Sequence, residues 1–245
     1  MDKLTLDKFI EGMIRLGKGV RESNPNVIIA PINGAVPLID ILNIVDPNFD
    51  NSQVEYMPAS SKLEDVRGVI KTWTEHFLLE NCPTDSPTYS IAVVDEVVSG
   101  NSSVRVYKSV KEGINAFARE RERKLDIPYR TTKRQVKYKT FGAKDNKCPV
   151  KSKEYRGLLE SGVAQLYDVG QIVTMDRPEY TPVQFRSELL EGKLRFYPEI
   201  EGINISREYL DLLENIAKVV GADPSTITSV NQNKIMGCPR YLISK

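Results

Sequence analysis

Histidine is almost missing from this chain of 245 residues: His76 stands alone, so histidine-centred metal sites and Ser/His/Asp hydrolysis have little to be built from. The three cysteines, Cys82, Cys148 and Cys238, are odd in number and widely spaced, which excludes a disulfide framework or a zinc site as the expected organisation. An excess of one charge is missing too. Lys and Arg number 34 against 33 Asp and Glu, a formal charge of +1, which argues against strong general affinity for nucleic acid or for an anionic membrane surface. No apolar run approaches the roughly twenty residues that a membrane-crossing helix needs. Met1 to Phe9 carry charge without the apolar core of a signal peptide, so a cytoplasmic protein without membrane contact is expected. Internal repeats are absent, and the one low-complexity tract, Arg119 to Arg123, alternates Arg and Glu as an exposed helix would.

What is present is an α/β pattern with two loops that carry chemistry. Ile91, Ala92, Val93 and Val94 form an apolar run of the kind found where both faces of a parallel sheet are covered, and the run ends in Asp95 and Glu96. Both carboxylates therefore belong at the carboxyl end of a buried strand, where ligands collect in open α/β sheets. Ser99, Gly100, Asn101, Ser102 and Ser103 follow, supplying backbone N–H groups, short hydroxyls and one glycine suited to close approach by a phosphate. Val104, Tyr107, Val110, Ile114 and Phe117 then recur at spacings of three and four, predicting an amphipathic helix from near Ser102. Adjacent side chains on a strand point to opposite sides, so Asp95 and Glu96 share one ligand only if the backbone turns there.

The same architecture occurs earlier. Val27 to Pro31 reads as an apolar strand, Asn33, Gly34 and Ala35 as a short loop that allows backbone donors near an anion, and Pro37 as an early helical residue. Taken alone, either loop is also an ordinary strand-to-helix turn. Gln53 to Ser60 alternates apolar and polar side chains as a second strand, and Ala164 to Asp176 reads as one or two late strands after a short helix within Ser152 to Gly162. Ser206 is placed to cap a helix carrying Tyr209, Leu212, Leu213, Ile216, Val219 and Val220, with Gly221 to end it. Between Arg119 and Lys153 basic residues are dense, with Tyr129, Tyr138 and Phe141 among them; a solvated face or subunit contact is the first reading, a nucleic-acid or polyphosphate contact the second.

Together, Val93 to Ser103 and Ala30 to Pro37 resemble the phosphoribosyl pyrophosphate (PRPP) motif and the pyrophosphate loop of the type I phosphoribosyltransferases. The resemblance implies a Rossmann-like parallel sheet flanked by helices, with a hood or accessory C-terminal segment. It implies a core over 1–185 with a basic insertion at about 119–153, and an accessory, partly helical segment over 186–245. By the same resemblance Asp95 and Glu96 would orient the ribose, Ser99 to Ser103 would hold the 5′-phosphate, and Asn33, Gly34 and Ala35 the pyrophosphate. The family's mobile hairpin would fall within Ser60 to Thr74 and bring Arg67 and Lys71 to the reacting centre, while Tyr167, Asp168, Asp176 and Tyr180 would recognise the acceptor base. Mg²⁺ is the implied cofactor, held mostly through substrate and water with Asp95 and Glu96 nearby. The expected activity is transfer of the phosphoribosyl group of PRPP to a nucleobase-like nitrogen acceptor with release of pyrophosphate, in a chain that could form homo-oligomers. The alternative is a non-catalytic regulator that binds PRPP or a nucleotide and contacts nucleic acid or a protein.

Overall fold

The structure is a computed structural model and describes residues 2–32, 34–175, 178–223 and 227–242. Helix α1 (Lys3–Glu22) starts at Asp2, whose carboxylate accepts the Thr5 amide at 2.9 Å, and it buries Phe9, Met13, Leu16 and Val20 along one stripe. Then come β1 (Val27–Pro31), α2 (Ala35–Val45), β2 (Val54–Met57), α3 (Val66–Asn81), β3 (Tyr89–Val97) and α4 (Asn101–Leu125). They are followed by α5 (Tyr129–Gln135), β4 (Val136–Lys144), α6 (Lys153–Glu160) and β5 (Ala164–Asp168). The five strands make one sheet, every pairing parallel, in the order β2-β1-β3-β4-β5. The chain runs from β1 outward to β2 and then crosses back to β3, so its direction reverses between β1 and β3. That reversal opens a crevice beyond the carboxyl ends of these two strands.

Strand alternation sorts the core into two layers. Ile28, Ala30, Ala92 and Val94 point into the layer formed with α1, α2 and a C-terminal helix, α7 (Arg207–Val220). Val27, Ile29, Ile91 and Val93 point into the layer under α3 and α4, with Trp73, Phe77, Val110 and Phe117. The α/β parallel sheet expected from the sequence is present.

Two expectations are corrected. In place of a hairpin within Ser60 to Thr74 there is a turn segment up to Asp65 and then the start of α3, capped by Asp65, whose carboxylate accepts the Gly68 amide at 3.0 Å. Ile70, Trp73 and Phe77 recur at helical spacing and are buried, which outweighs the polar residues around them. The basic stretch at 119–153 is no insertion, because it carries the end of α4, all of α5 and β4, an interior strand. Arg121 within it is buried, its guanidinium donating to Gln135 Oε1 at 3.0 Å and to the Cys82 carbonyl, while Lys137 and Lys139 are exposed where β5 does not reach. Of the one or two strands read within Ala164 to Asp176 the structure has one, β5; the described residues beyond it form bends and turns.

The C-terminal segment is built into the same body. Strands β6 (Val183–Leu190) and β7 (Lys193–Ile203) form an antiparallel hairpin, and α8 (Ile227–Gly237) leads into a 3-10 turn, Cys238–Leu242. The Tyr209 hydroxyl of α7 donates to Asp40 of α2 at 2.6 Å, and Asn231 of α8 donates to the same carboxylate. On the other layer the Trp73 indole donates to the Cys238 carbonyl at 2.9 Å, and Tyr241 sets its ring edge-on to Trp73 and Phe77. The accessory cap read over 186–245 therefore packs on both layers of the core.

Candidate functional site

A cleft of about 440 Å³ lies at the crevice between β1 and β3, within the size range of small-molecule sites. Its floor is Pro31 and Ile32 after β1 and Asp95 and Glu96 on β3; its walls are Gly34 and Pro37, the Ala59 to Lys62 segment, the Val98 to Ser103 loop and the start of α4. Thr174, Tyr180 and Thr181 close it from the segment between β5 and β6.

Pairing of β3 with β4 runs through Val97, opposite Lys144, so the backbone does not turn at Glu96. Asp95 continues the Ile91 and Val93 side of the strand and Glu96 the Ala92 and Val94 side. Both still reach the cleft because it sits across the strand's end. Glu96 lies against Gly34: a Cβ at residue 34 would come within 2.7 Å of its Cγ. Burial pushes the Asp95 carboxyl well above the usual carboxylate range, and the neighbouring Glu96 adds to the push. The Glu96 amide, donating to Asp95 Oδ1 at 2.9 Å, works in the opposite direction.

Beyond Glu96 the chain leaves the sheet, and Gly100 takes the left-handed conformation, φ 86°, immediately before α4. Without a side chain it cannot cap the helix; the Asn101 amide donates to Ser99 Oγ at 3.4 Å, and the Ser102 and Ser103 amides face an anion with the helix dipole adding attraction. Ser99, Gly100, Ser102 and Ser103 line the cleft; Asn101 is exposed at the helix start and does not.

Of the basic residues read from sequence, Arg67 and Lys71 are exposed on α3 and do not line the cleft. Val66 and Ile70, one position earlier in each case, do line it, and about 100° of helical rotation per residue carries the two cations away. The cations that line it are Lys62 and Arg105. Arg105 was missed, although it stands three residues after Ser102 and so shares its side of the helix. Lys62 is held over the Phe196 ring of β7, 5.7 Å from its centroid.

The acceptor-side residues divide. Tyr180 lines the cleft, with the Tyr209 ring at 6.3 Å. Tyr167 and Asp168, on the edge strand β5, do not. The Tyr167 hydroxyl donates to Gln165 at 2.8 Å and lies against Gly19 of α1, while Asp168 caps the Gly170 amide at 2.7 Å and accepts Arg15 through its carbonyl. Ala35 opens α2 and is fully buried, and Asn33 and Asp176 lie outside the described residues.

No group of three or more His, Cys, Asp or Glu placed to hold a metal ion occurs among the described residues. Asp95 and Glu96 leave opposite sides of one strand, and Asp95 is desolvated. No helix among the described residues is long and apolar enough to cross a membrane.

Comparisons with protein-family models, with curated proteins and with solved structures return no match. The chemistry of the cleft is therefore read from its geometry.

Proposed function

We propose that the cleft binds the ribose 5-phosphate unit of PRPP and that the protein is a magnesium-dependent, phosphoribosyltransferase-like pentosyltransferase acting on a nucleobase-like nitrogen acceptor. One observation carries the reading: the crevice between β1 and β3 brings an acidic pair, an uncapped helix start rich in serine, and two cations to the same 440 Å³. In this reading Asp95 and Glu96 meet the ribose hydroxyls. The Ser99 to Ser103 loop and Arg105 receive the 5′-phosphate, and Gly34 and Lys62 face the diphosphate. Tyr180 offers a ring to the acceptor. The bond from the anomeric carbon to the diphosphate oxygen breaks with its electrons leaving on pyrophosphate; the acceptor nitrogen forms the new bond and gives its proton to solvent. Positioning and charge complementarity supply the catalysis, with no covalent nucleophile.

A second reading, a PRPP- or nucleotide-binding regulator without turnover, is favoured by the position of Arg67 and Lys71 outside the cleft, which leaves Lys62 alone to offset departing pyrophosphate while Arg105 receives the 5′-phosphate. Labelled PRPP with magnesium and a panel of bases separates the two. Pyrophosphate release with any acceptor supports the enzyme; tight binding with no release from any acceptor supports the regulator. Asp95→Asn combined with Glu96→Gln is expected to weaken ribose 5-phosphate binding by about 100-fold, two lost hydrogen bonds at roughly 1.5 kcal/mol each. Unchanged affinity would remove the ribose site from either reading.

A further inference from the structure

The hairpin of β6 and β7 leaves the body of the protein. Val183 and Phe185 at its base are buried, whereas every residue from Arg186 through Leu194 is exposed. Its turn is set by two left-handed residues, Glu191 at φ 51° and Gly192 at φ 74°, in a two-residue loop whose twist suits the paired strands. The two strands do not present equal edges. On its far side β7 is engaged: Leu63 bridges to Phe196, and Arg195 pairs with Glu64 at 3.3 Å. Among the described residues β6 pairs with β7 alone, so its outer edge carries a row of backbone N–H and C=O groups that no strand meets.

Alternation gives the hairpin one apolar face and one charged face. Phe185, Leu189, Leu194 and Phe196 share the first, and there Leu189 and Leu194 stand opposite one another, 72% and 57% exposed, beyond the reach of the core. Arg186 and Glu188 share the second, ion-paired at 3.0 Å, with the Arg186 guanidinium over the Tyr197 ring.

This edge matches itself in one antiparallel register. Residues opposite one another in an antiparallel pair share a face, so keeping the apolar face continuous requires a two-fold axis to pass through one residue of β6. An axis on Arg186 or on Glu188 sets like charges face to face, which is unfavourable. An axis on Phe185 or on Leu189 leaves Arg186 and Glu188 without a counter-charge across it. On Ser187 the axis sets Arg186 opposite the partner's Glu188 and Phe185 opposite the partner's Leu189, each of them twice.

We propose that two copies of this chain pair through the outer edges of β6, with the two-fold axis at Ser187, into a four-stranded antiparallel sheet of order β7-β6-β6-β7. One row of its apolar face then runs from Leu194 through Leu189 and the partner's Phe185 to the partner's Ile200, which covers the exposed leucines. On the charged face Arg195, Glu188 and the partner's Arg186 alternate in sign. The edge is already extended, so main-chain hydrogen bonds form without rearrangement, and the charges fix the register. Neither β6 nor β7 lines the cleft, so the pairing stands apart from what the cleft binds.

Sedimentation equilibrium of the full chain up to about 100 µM is expected to give twice the 27.7 kDa of one chain. Arg186→Glu sets two acids on the edge, and Glu188→Arg sets two bases. Each variant alone meets like charges twice per interface, and its dimer is expected to weaken at least about tenfold. Mixed in equal amounts the two variants are complementary, and the dimer should return. Oxidised Ser187→Cys is expected to run as a covalent dimer on a non-reducing gel, because the axis brings its two Cα atoms to about 4.5–5.5 Å, within disulfide reach. The wild type, treated alike, should not cross-link. A wild type that stays at 27.7 kDa throughout would overturn the proposal. So would a dimer that survives in both single variants, a mixture that stays monomeric, or a Ser187→Cys protein that does not cross-link.

Discussion

A methyl group added at residue 34 would lie 2.7 Å from Glu96 Cγ and 3.0 Å from its Oε1, so Gly34→Ala must displace the acidic side chain. Affinity for ribose 5-phosphate is expected to fall about tenfold, one lost hydrogen bond to a charged group, with little change in melting temperature, as calorimetry and a thermal melt can read. Gly100→Ala differs in kind. Its φ of 86° and the Tyr155 ring 2.9 Å away combine a left-handed backbone with a clash. That strain costs about 1–2 kcal/mol before the clash, a fall of roughly 5 °C in melting temperature, with binding lost alongside. At this scale the sequence was informative where chemistry is local. A buried apolar run that stops at two adjacent acids needs no partner to be noticed. The reading of Arg67 and Lys71, with Arg105 missed, shows the limit, since a cation's charge is visible in sequence and its bearing around a helix is not.

Helix α2 is apolar almost throughout, yet Asp40 is buried within it. Its partners come from α7 and α8, at sequence separations of 169 and 191 residues. Burial pushes the Asp40 carboxyl up to about 6, while the hydrogen bonds from Tyr209 and Asn231 pull it down by less. Because the folded value lies above the ordinary 3.8, the stability linked to this group is fully present below 3.8 and is lost as pH rises through about 6. Urea midpoints measured on either side of about pH 6 are expected to fall with rising pH in the wild type and to stay flatter in Asp40→Asn. An equal slope in both would show that the α2, α7 and α8 junction does not titrate through Asp40. The sequence signalled α2 through Pro37 and α7 through its Ser206 cap and spacing, but neither α8 nor the junction, because a carboxylate in an apolar run does not name its donors.

For the whole molecule the question is whether the C-terminal segment is a removable cap. Tyr209, Leu212, Leu213 and Ile216 of α7 are buried, and each such side chain is worth about 1.5–3 kcal/mol. Together they are comparable with the net stability of an ordinary domain, roughly 5–15 kcal/mol. A chain ending at residue 185 also loses the Cys238 carbonyl that receives the Trp73 indole and the Tyr241 ring beside it. Such a chain is expected to show no cooperative thermal transition by circular dichroism. The emission of Trp73, the single tryptophan, should be red-shifted. A sharp transition with native emission would restore the two-part organisation that the family resemblance implied.

Short-range order was written into the chain: apolar runs marked β1 and β3, spacings of three and four marked α4 and α7, and the carboxylates at the end of β3 announced a polar site. Those features depend on residues within a few positions of one another. The reversal of strand order that opens the cleft and the rotation that turns α3 to present Val66 and Ile70 depend on contacts between distant segments. Periodicity sets which face of an element is apolar, whereas packing against the rest of the fold sets what that face meets.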